Sequence, residues 1–189
     1  MKCDIVLAGV GGQGILTIAA IIGKVAVEQG LHVKQSEIHG MSQRGGSVFS
    51  HLRLSSDPID ADQIPDGGAD IIIAMEPMEA LRYLRSLSPS GIVIANSTPV
   101  VNIPDYPEPE TLLNQIRALP RHLLFDGDAI AKGLGNPRSV NIVLLGAISN
   151  HIPLDPQLFR DAVAARFAKK GDAVVQLNLQ AFQAGREAK

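Results

Sequence analysis

Two clusters near the start of the chain hold residue types suited to an anion. Residues 9–14 read Gly9-Val-Gly-Gly-Gln-Gly14, directly after the apolar Ile5-Val-Leu-Ala8, and residues 37–46 read Glu37-Ile-His-Gly-Met-Ser-Gln-Arg-Gly-Gly46. A strand that ends in a glycine-rich turn and then opens a helix presents backbone N–H groups and a positive helix end to a phosphate or carboxylate. Gly11, Gly12, Gln13 and Gly14 are candidate contacts of that kind. Arg44, followed by Gly45 and Gly46, can offer its planar fork to such a group or pair with Glu37 and hold the loop in shape. The two roles can coexist.

Gly9-x-Gly11-x-x-Gly14 also has the form of a dinucleotide fingerprint, with Glu37 at the end of the second predicted strand in the place of a ribose-binding acid. The same glycines serve equally to permit a tight turn and close packing. No Lys-Ser/Thr follows the last glycine, so the sequence has no Walker A site. His39 and His51 sit on or near the loop, and His32, His122 and His151 lie far away in sequence without an acid or thiol at ligand spacing, so no metal site is expected. Asp126 and Asp128 read as helix caps rather than as a catalytic pair, with Asp128 the expected cap of a short helix stopped by Gly133 or Gly135. No serine stands in a nucleophile-elbow context.

Composition bounds the partners. With 189 residues, 46% hydrophobic, the chain is long enough for a proper core, and residues 1–189 are read as one globular domain. A net charge of −2 and only 4% aromatic residues leave no footprint for nucleic acid. The single cysteine, Cys3, cannot form an internal disulfide, which fits a reducing cytoplasm. Asp4, Gln13 and the glycines interrupt what would otherwise resemble an export signal, and the apolar run from Ile15 to Gly23 is well short of the roughly twenty residues of a membrane span. A cytoplasmic protein without a membrane partner is expected.

The elements that must position the two clusters alternate between β-rich runs and helical patterns, which predicts an α/β fold: a three-layer Rossmann-like sandwich with a helical C-terminal part. Strands are predicted at Asp4–Gly9, His32–Ile38, Val48–Leu54, Asp70–Met75, Ile92–Ala95 and Leu123–Phe125. The link between the second and third has only about eight residues, too few for a parallel crossover, so those two strands must be antiparallel and the sheet mixed though mostly parallel. Helices are predicted from Gln13 to Gln29, from Pro77 to about Leu87, and at Asn141–Ser149, Pro156–Ala168 and Asp172–Ala184. Pro99, Pro104, Pro107 and Pro109 make the stretch between them a surface connection and the best candidate for a mobile excursion.

Four segments in order, Gly9 to Ile15, Glu37 to Ser47, Asn141 to Ala147, and Asn178 with Ala181-Phe182 and Gly185, resemble the gamma-type domain of the 2-oxoacid:ferredoxin oxidoreductases. The His39-Gly-Met-Ser-Gln-Arg-Gly-Gly46 wording is similar to the small beta subunits of the indolepyruvate branch. The resemblance implies a subunit of an enzyme that decarboxylates an aryl 2-oxoacid, transfers the acyl group to coenzyme A as substrate, and reduces ferredoxin. It places thiamine diphosphate, Mg and 4Fe-4S clusters in a large alpha subunit, and one cysteine agrees with that division. It gives Arg44 and Glu37 supporting or interface roles in catalysis. Gly11, Gly12, Gln13, Gly14, Gly45 and Gly46 become contacts to coenzyme A phosphates or to the partner. The competing readings are a free-standing NAD(P)- or flavin-binding oxidoreductase and a non-catalytic regulatory module.

Overall fold

A computed structural model describes residues 1–39 and 45–189, with only the backbone of His39. Its strands are Lys2–Val10 (β1), His32–His39 (β2), Ser47–Ser55 (β3), Ala69–Ala74 (β4), Leu87–Asn96 (β5) and His122–Phe125 (β6), in the sheet order β2-β3-β1-β4-β5-β6. The helices are Ile15–Glu28 (α1), Pro77–Arg82 (α2), Pro109–Arg117 (α3), Gly127–Gly133 (α4), Val140–Ser149 (α5), Pro156–Phe167 (α6) and Asp172–Glu187 (α7).

The central strands carry continuous apolar runs, Ile5–Ala8, Ile71–Ala74 and Ile92–Ala95, because both faces are covered there. Cys3, Ile5 and Leu7 of β1, Ile71 and Ile73 of β4, and Ile92 and Ile94 of β5 point into one core. That core also contains Ile18 and Ile22 of α1, Leu144 of α5, Phe159 of α6 and Phe182 of α7. The alternate residues, Val6, Ala8, Ile72, Ala74, Val93 and Ala95, face a smaller core closed by Ala80 of α2 and Ile116 of α3. The three layers are thus unequal, and the C-terminal helices supply most of the larger one. The rings of Phe159 and Phe182 stack at 6.1 Å between α6 and α7.

The sheet is mixed, as the short second link requires. Strand β3 runs antiparallel to both β1 and β2, pairing Ala8 with Phe49 on one side and Ile38 with Phe49 on the other. Strands β1, β4, β5 and β6 are parallel neighbours. Strand β2 therefore points the same way as β1 but lies one strand farther out.

Several boundaries differ from the sequence reading. Helix α1 starts at Ile15 rather than Gln13, because Gly14 adopts a left-handed φ of 84°. Helix α2 stops at Arg82, a 3-10 turn follows at Leu84–Ser86, and β5 begins at Leu87, five residues before its predicted start. That early half contains Pro89 and is joined to β4 through a register shift between Ala69 and Ile71, so it lacks the apolar run that marks the rest. Helix α3 was hidden by Pro109, which acts as a first-turn residue and not as a breaker. Asp126 rather than Asp128 caps α4, accepting the Ala129 N–H at 2.8 Å. Among the described residues, no helix is long and apolar enough to cross a membrane.

Cys3 is buried at the start of β1, and burial together with Asp70 and Asp4 pushes its thiol up to about 12. The thiolate is the reactive form. The folded chain should consequently resist a thiol reagent at pH 8 and become labelled only on unfolding in urea. Full labelling of the native chain within minutes would contradict this placement. Because the folded value lies above the unfolded value of 9.0, the contribution of this group to stability is intact below pH 9 and lost as the pH rises towards 12.

Candidate functional site

Open α/β sheets bind ligands beyond the carboxyl ends of their parallel strands, and four connections converge there in this chain. They are the glycine turn after β1, Met75-Glu76 after β4, Asn96 at the end of β5, and Asp126-Gly127-Asp128 after β6. Gln13 holds the first two together: its Oε1 accepts the Val10 N–H at 2.7 Å and its Nε2 donates to the Met75 carbonyl at 3.1 Å. Asn96 joins the others, donating from Nδ2 to the Met75 carbonyl at 3.3 Å and to Asp128 Oδ2 at 2.9 Å while accepting the Gly127 N–H at 2.9 Å. Asp128 is thereby part of the floor of the site and not a cap.

The glycines do different jobs. Gly9 packs tightly, since a Cβ there would lie 2.9 Å from Gln13 Oε1 and 3.2 Å from the Met75 Cβ. A Cβ on Gly14 would meet Asn141 Nδ2 at 2.7 Å in addition to its left-handed backbone. Gly12, with φ 101°, has nothing within 4 Å of a Cβ position and leaves its backbone open. Helix α1 begins directly after, with no side-chain cap and no acid in its first turn. An open backbone followed by an uncapped helix end suits an anion. Beside it lies a cavity of about 180 Å³ whose walls include Gly12, Gln13, Asp128, Arg138 and Asn141.

The second cluster arrives at this same edge. The Gly11 N–H donates to the Gly46 carbonyl at 2.9 Å, so the turn and the end of the loop are in contact. Asn102 Nδ2 donates to the Gly45 carbonyl at 2.6 Å. The proline-rich connection read as a mobile excursion is therefore tied down, and Glu76 holds it at two further points. Glu76 Oε1 accepts the Val100 N–H at 3.5 Å. The Tyr106 hydroxyl also donates to Glu76 Oε1, and Glu76 Oε2 accepts the Glu79 N–H at 2.9 Å as the cap of α2. Glu76 is fully buried. Burial raises its pKa, against the lowering effect of the bonds from Tyr106, Glu79 and Val100. Glu79, also buried, accepts from Ser47 Oγ and from Arg82 Nε at 3.2 Å, linking α2 to the first residue of β3.

Of the residues singled out from the sequence, Gly11, Gly12, Gln13, Gly14, Gly45 and Gly46 are brought together. Arg44, with Gly40 to Gln43, lies outside the described residues. Glu37 accepts from Gln35 Nε2 at 2.9 Å and pairs with Ser50 across β2 and β3. With β3 inserted between β2 and β1, Glu37 sits two strand spacings from β1, on the order of 10 Å. A ribose-binding acid is needed at the neighbouring strand, so this topology removes the dinucleotide role. His51 is structural: its Nδ1 accepts the Ile64 N–H at 2.9 Å, and burial lowers its pKa. Among the described residues, no group of three or more His, Cys, Asp or Glu is placed to hold a metal ion. Sequence reading missed Glu76, Glu79, Tyr106 and Asn96, which carry no local pattern. Asn141 was visible only as the first residue of one of the four segments that carry the family resemblance.

Comparison with known proteins gives the family and the fold. The profile of the family described as pyruvate ferredoxin/flavodoxin oxidoreductase matches residues 4–188. The indolepyruvate oxidoreductase subunit IorB of Archaeoglobus fulgidus is 36% identical over 194 residues, covering 98% of this chain and 94% of that protein. Among solved structures, the keto/oxoacid ferredoxin oxidoreductase gamma subunit of Geobacter sulfurreducens superposes with a TM-score of 0.72 at 24% identity, covering 98% of this chain and 96% of that one. The 2-oxoglutarate:ferredoxin oxidoreductase of Magnetococcus marinus, solved with 2-oxoglutarate, coenzyme A and succinyl-CoA, gives 0.78 at 22% identity over 98% of this chain and 30% of that one. These two structural likenesses concern the fold.

Proposed function

The chain belongs to the pyruvate ferredoxin/flavodoxin oxidoreductase family, and from that premise we propose that it is the small subunit of an enzyme oxidising an aryl 2-oxoacid such as indolepyruvate. The reaction converts the 2-oxoacid and coenzyme A to an acyl-CoA and carbon dioxide, with two electrons passing to ferredoxin. Thiamine diphosphate, magnesium and the iron–sulfur clusters belong to a larger partner. One buried cysteine does not suit a four-thiolate cluster, and no step is assigned to such a group in this chain. The choice of indolepyruvate rests on the likeness to IorB.

The role of this chain is to hold the phosphate end of coenzyme A and to close the shared site from outside. The observation that supports it is the Gly11 to Gly46 hydrogen bond, which joins the open turn to the residue that ends the second cluster. The backbone at Gly12 and the start of α1 receive the diphosphate, Gln13 fixes the turn, and Gly45 and Gly46 allow Arg44 to approach. Glu37 supports the base of the loop on β2. Orienting the thiol and excluding water are contributions of position, not of bond chemistry.

Gly12→Val tests this reading in the complex with the large subunit. A β-branched residue at φ 101° blocks the approach of phosphates to the backbone. The apparent KM for coenzyme A should rise about tenfold or more, the equivalent of losing one charge-assisted contact. Decarboxylation of the 2-oxoacid measured without coenzyme A should change far less. Equal damage to both assays, or saturable micromolar NADH binding by the isolated chain, would overturn the assignment. A melting curve of each variant identifies any loss due to unfolding.

A further inference from the structure

A second and larger cavity, of about 430 Å³, opens on the far side of Arg138 and Asn141, which line both. Its walls carry three cations: Arg138 from the 3-10 turn before α5, Arg166 from the last turn of α6, and Lys170 from the turn that follows α6. Thr17 of α1, Asn136, Asn141 of α5 and the buried Asn178 of α7 complete its polar lining, and no carboxylate contributes to it among the described residues. Among the described residues none of the three cations forms an ion pair. This is unexpected in a chain whose net charge is −2. All three are exposed, so water and salt screen their mutual repulsion, while an anion entering the concavity is attracted by all of them.

Arg166 and Lys170 lie near the C-terminal end of α6, where cations are favoured by the helix dipole. That accounts for those two and not for Arg138, which comes from another element and completes the ring. Lys170 is further placed by the Phe167 ring, with its Nζ 5.6 Å from the centroid. Helices α1 and α5 meet the cavity near their N-terminal ends, both without a side-chain cap or a first-turn acid. We propose that this cavity is a binding site for a phosphate monoester dianion, separate from the diphosphate contact at Gly12 and joined to it through Arg138 and Asn141. A monoester suits it because two negative charges and three terminal oxygens match a ring of three donors.

The ester has two sources that the same experiment separates: the 3′-phosphate of a coenzyme A whose diphosphate lies on the glycine turn, or a free phosphate compound. Only the first rests on the function proposed above. The full chain, alone and in complex with the large subunit, is titrated calorimetrically at low salt with coenzyme A, 3′-dephospho-coenzyme A and inorganic phosphate. The Arg166→Gln/Lys170→Gln double variant is titrated in parallel. For the first source, wild type binds coenzyme A roughly tenfold more tightly than the dephospho form, and the double variant loses that preference while keeping its affinity for the dephospho form. For the second, the two coenzymes bind alike, and saturable phosphate binding by wild type disappears in the variant. Wild type that neither prefers coenzyme A nor binds phosphate, or a double variant indistinguishable from it, overturns the proposal. Failure at the glycine turn gives a different signature, because Gly12→Val then leaves the affinities for both coenzymes unchanged.

Discussion

Gly185→Ala should lower the stability of the chain by about 3 kcal/mol or more, beyond the usual range for one added methyl group in a packed core. A Cβ on Gly185 of α7 would lie 1.8 Å from the Val143 carbonyl oxygen of α5, and one on Gly146 of α5 would lie 2.0 Å from the Phe182 carbonyl of α7. Both obstacles are backbone, so relief requires the two helices to separate and the large core to loosen. The gain in helix propensity from glycine to alanine is only about 1 kcal/mol and cannot offset this. Gly133 at the end of α4 has nothing within 4 Å of its Cβ position. Gly133→Ala should therefore stay within about 1 kcal/mol of wild type. Urea midpoints at constant m-value read both effects. A Gly185→Ala chain as stable as the Gly133 control would mean that the close α5–α7 contact is wrong.

Arg44→Lys should leave the complex assembled and slow its turnover by a factor of about 30 to 1,000, or roughly 2 to 4 kcal/mol of barrier, if the fork meets transferred charge. Lysine keeps the charge and loses the paired donors, so the substitution separates bidentate recognition from simple attraction. The structure bears on this through the loop's anchored end. Gly45 is held by Asn102 and Gly46 by Gly11, so the end of the segment that carries Arg44 in the sequence is fixed at the carboxyl edge of the sheet. Turnover at the wild-type rate in an Arg44→Ala complex would remove the loop from the mechanism.

The parts of the fold legible in the sequence are those with a repeating physical cause. Both-faced apolar runs marked β1 and β4, and the short link after β2 forced an antiparallel partner. Those two facts suffice for a mixed three-layer sheet. The glycine turn and the loop were legible as chemistry, and the parallel direction of β1 and β2 put them at one edge. What escaped depends on contacts distant in sequence. Tyr106 reaches Glu76 across 30 positions and Asn102 reaches Gly45 across 57, so a proline-rich stretch that reads as loose is fastened to the site. Pro109 reads the same whether it ends a strand or begins a helix, which hid α3. Gly146 and Gly185 drew attention only as parts of a resemblance, yet they turn out to be points of helix contact. The glycine fingerprint overstated dinucleotide binding because its spacing says nothing about which strand lies beside β1.

The central claim is that this chain supplies coenzyme A handling to chemistry held by a larger partner. Anaerobic reconstitution tests it most directly, with the chain, the large subunit, or both supplied with indolepyruvate and coenzyme A while reduction of a viologen is followed. The account predicts acyl-CoA formation and rapid reduction only when both are present. The large subunit alone should retain at most a slow coenzyme-A-independent decarboxylation, and the chain alone should be inert. Viologen reduction by the chain alone, or acyl-CoA formation by the large subunit at the full rate without it, would contradict the account.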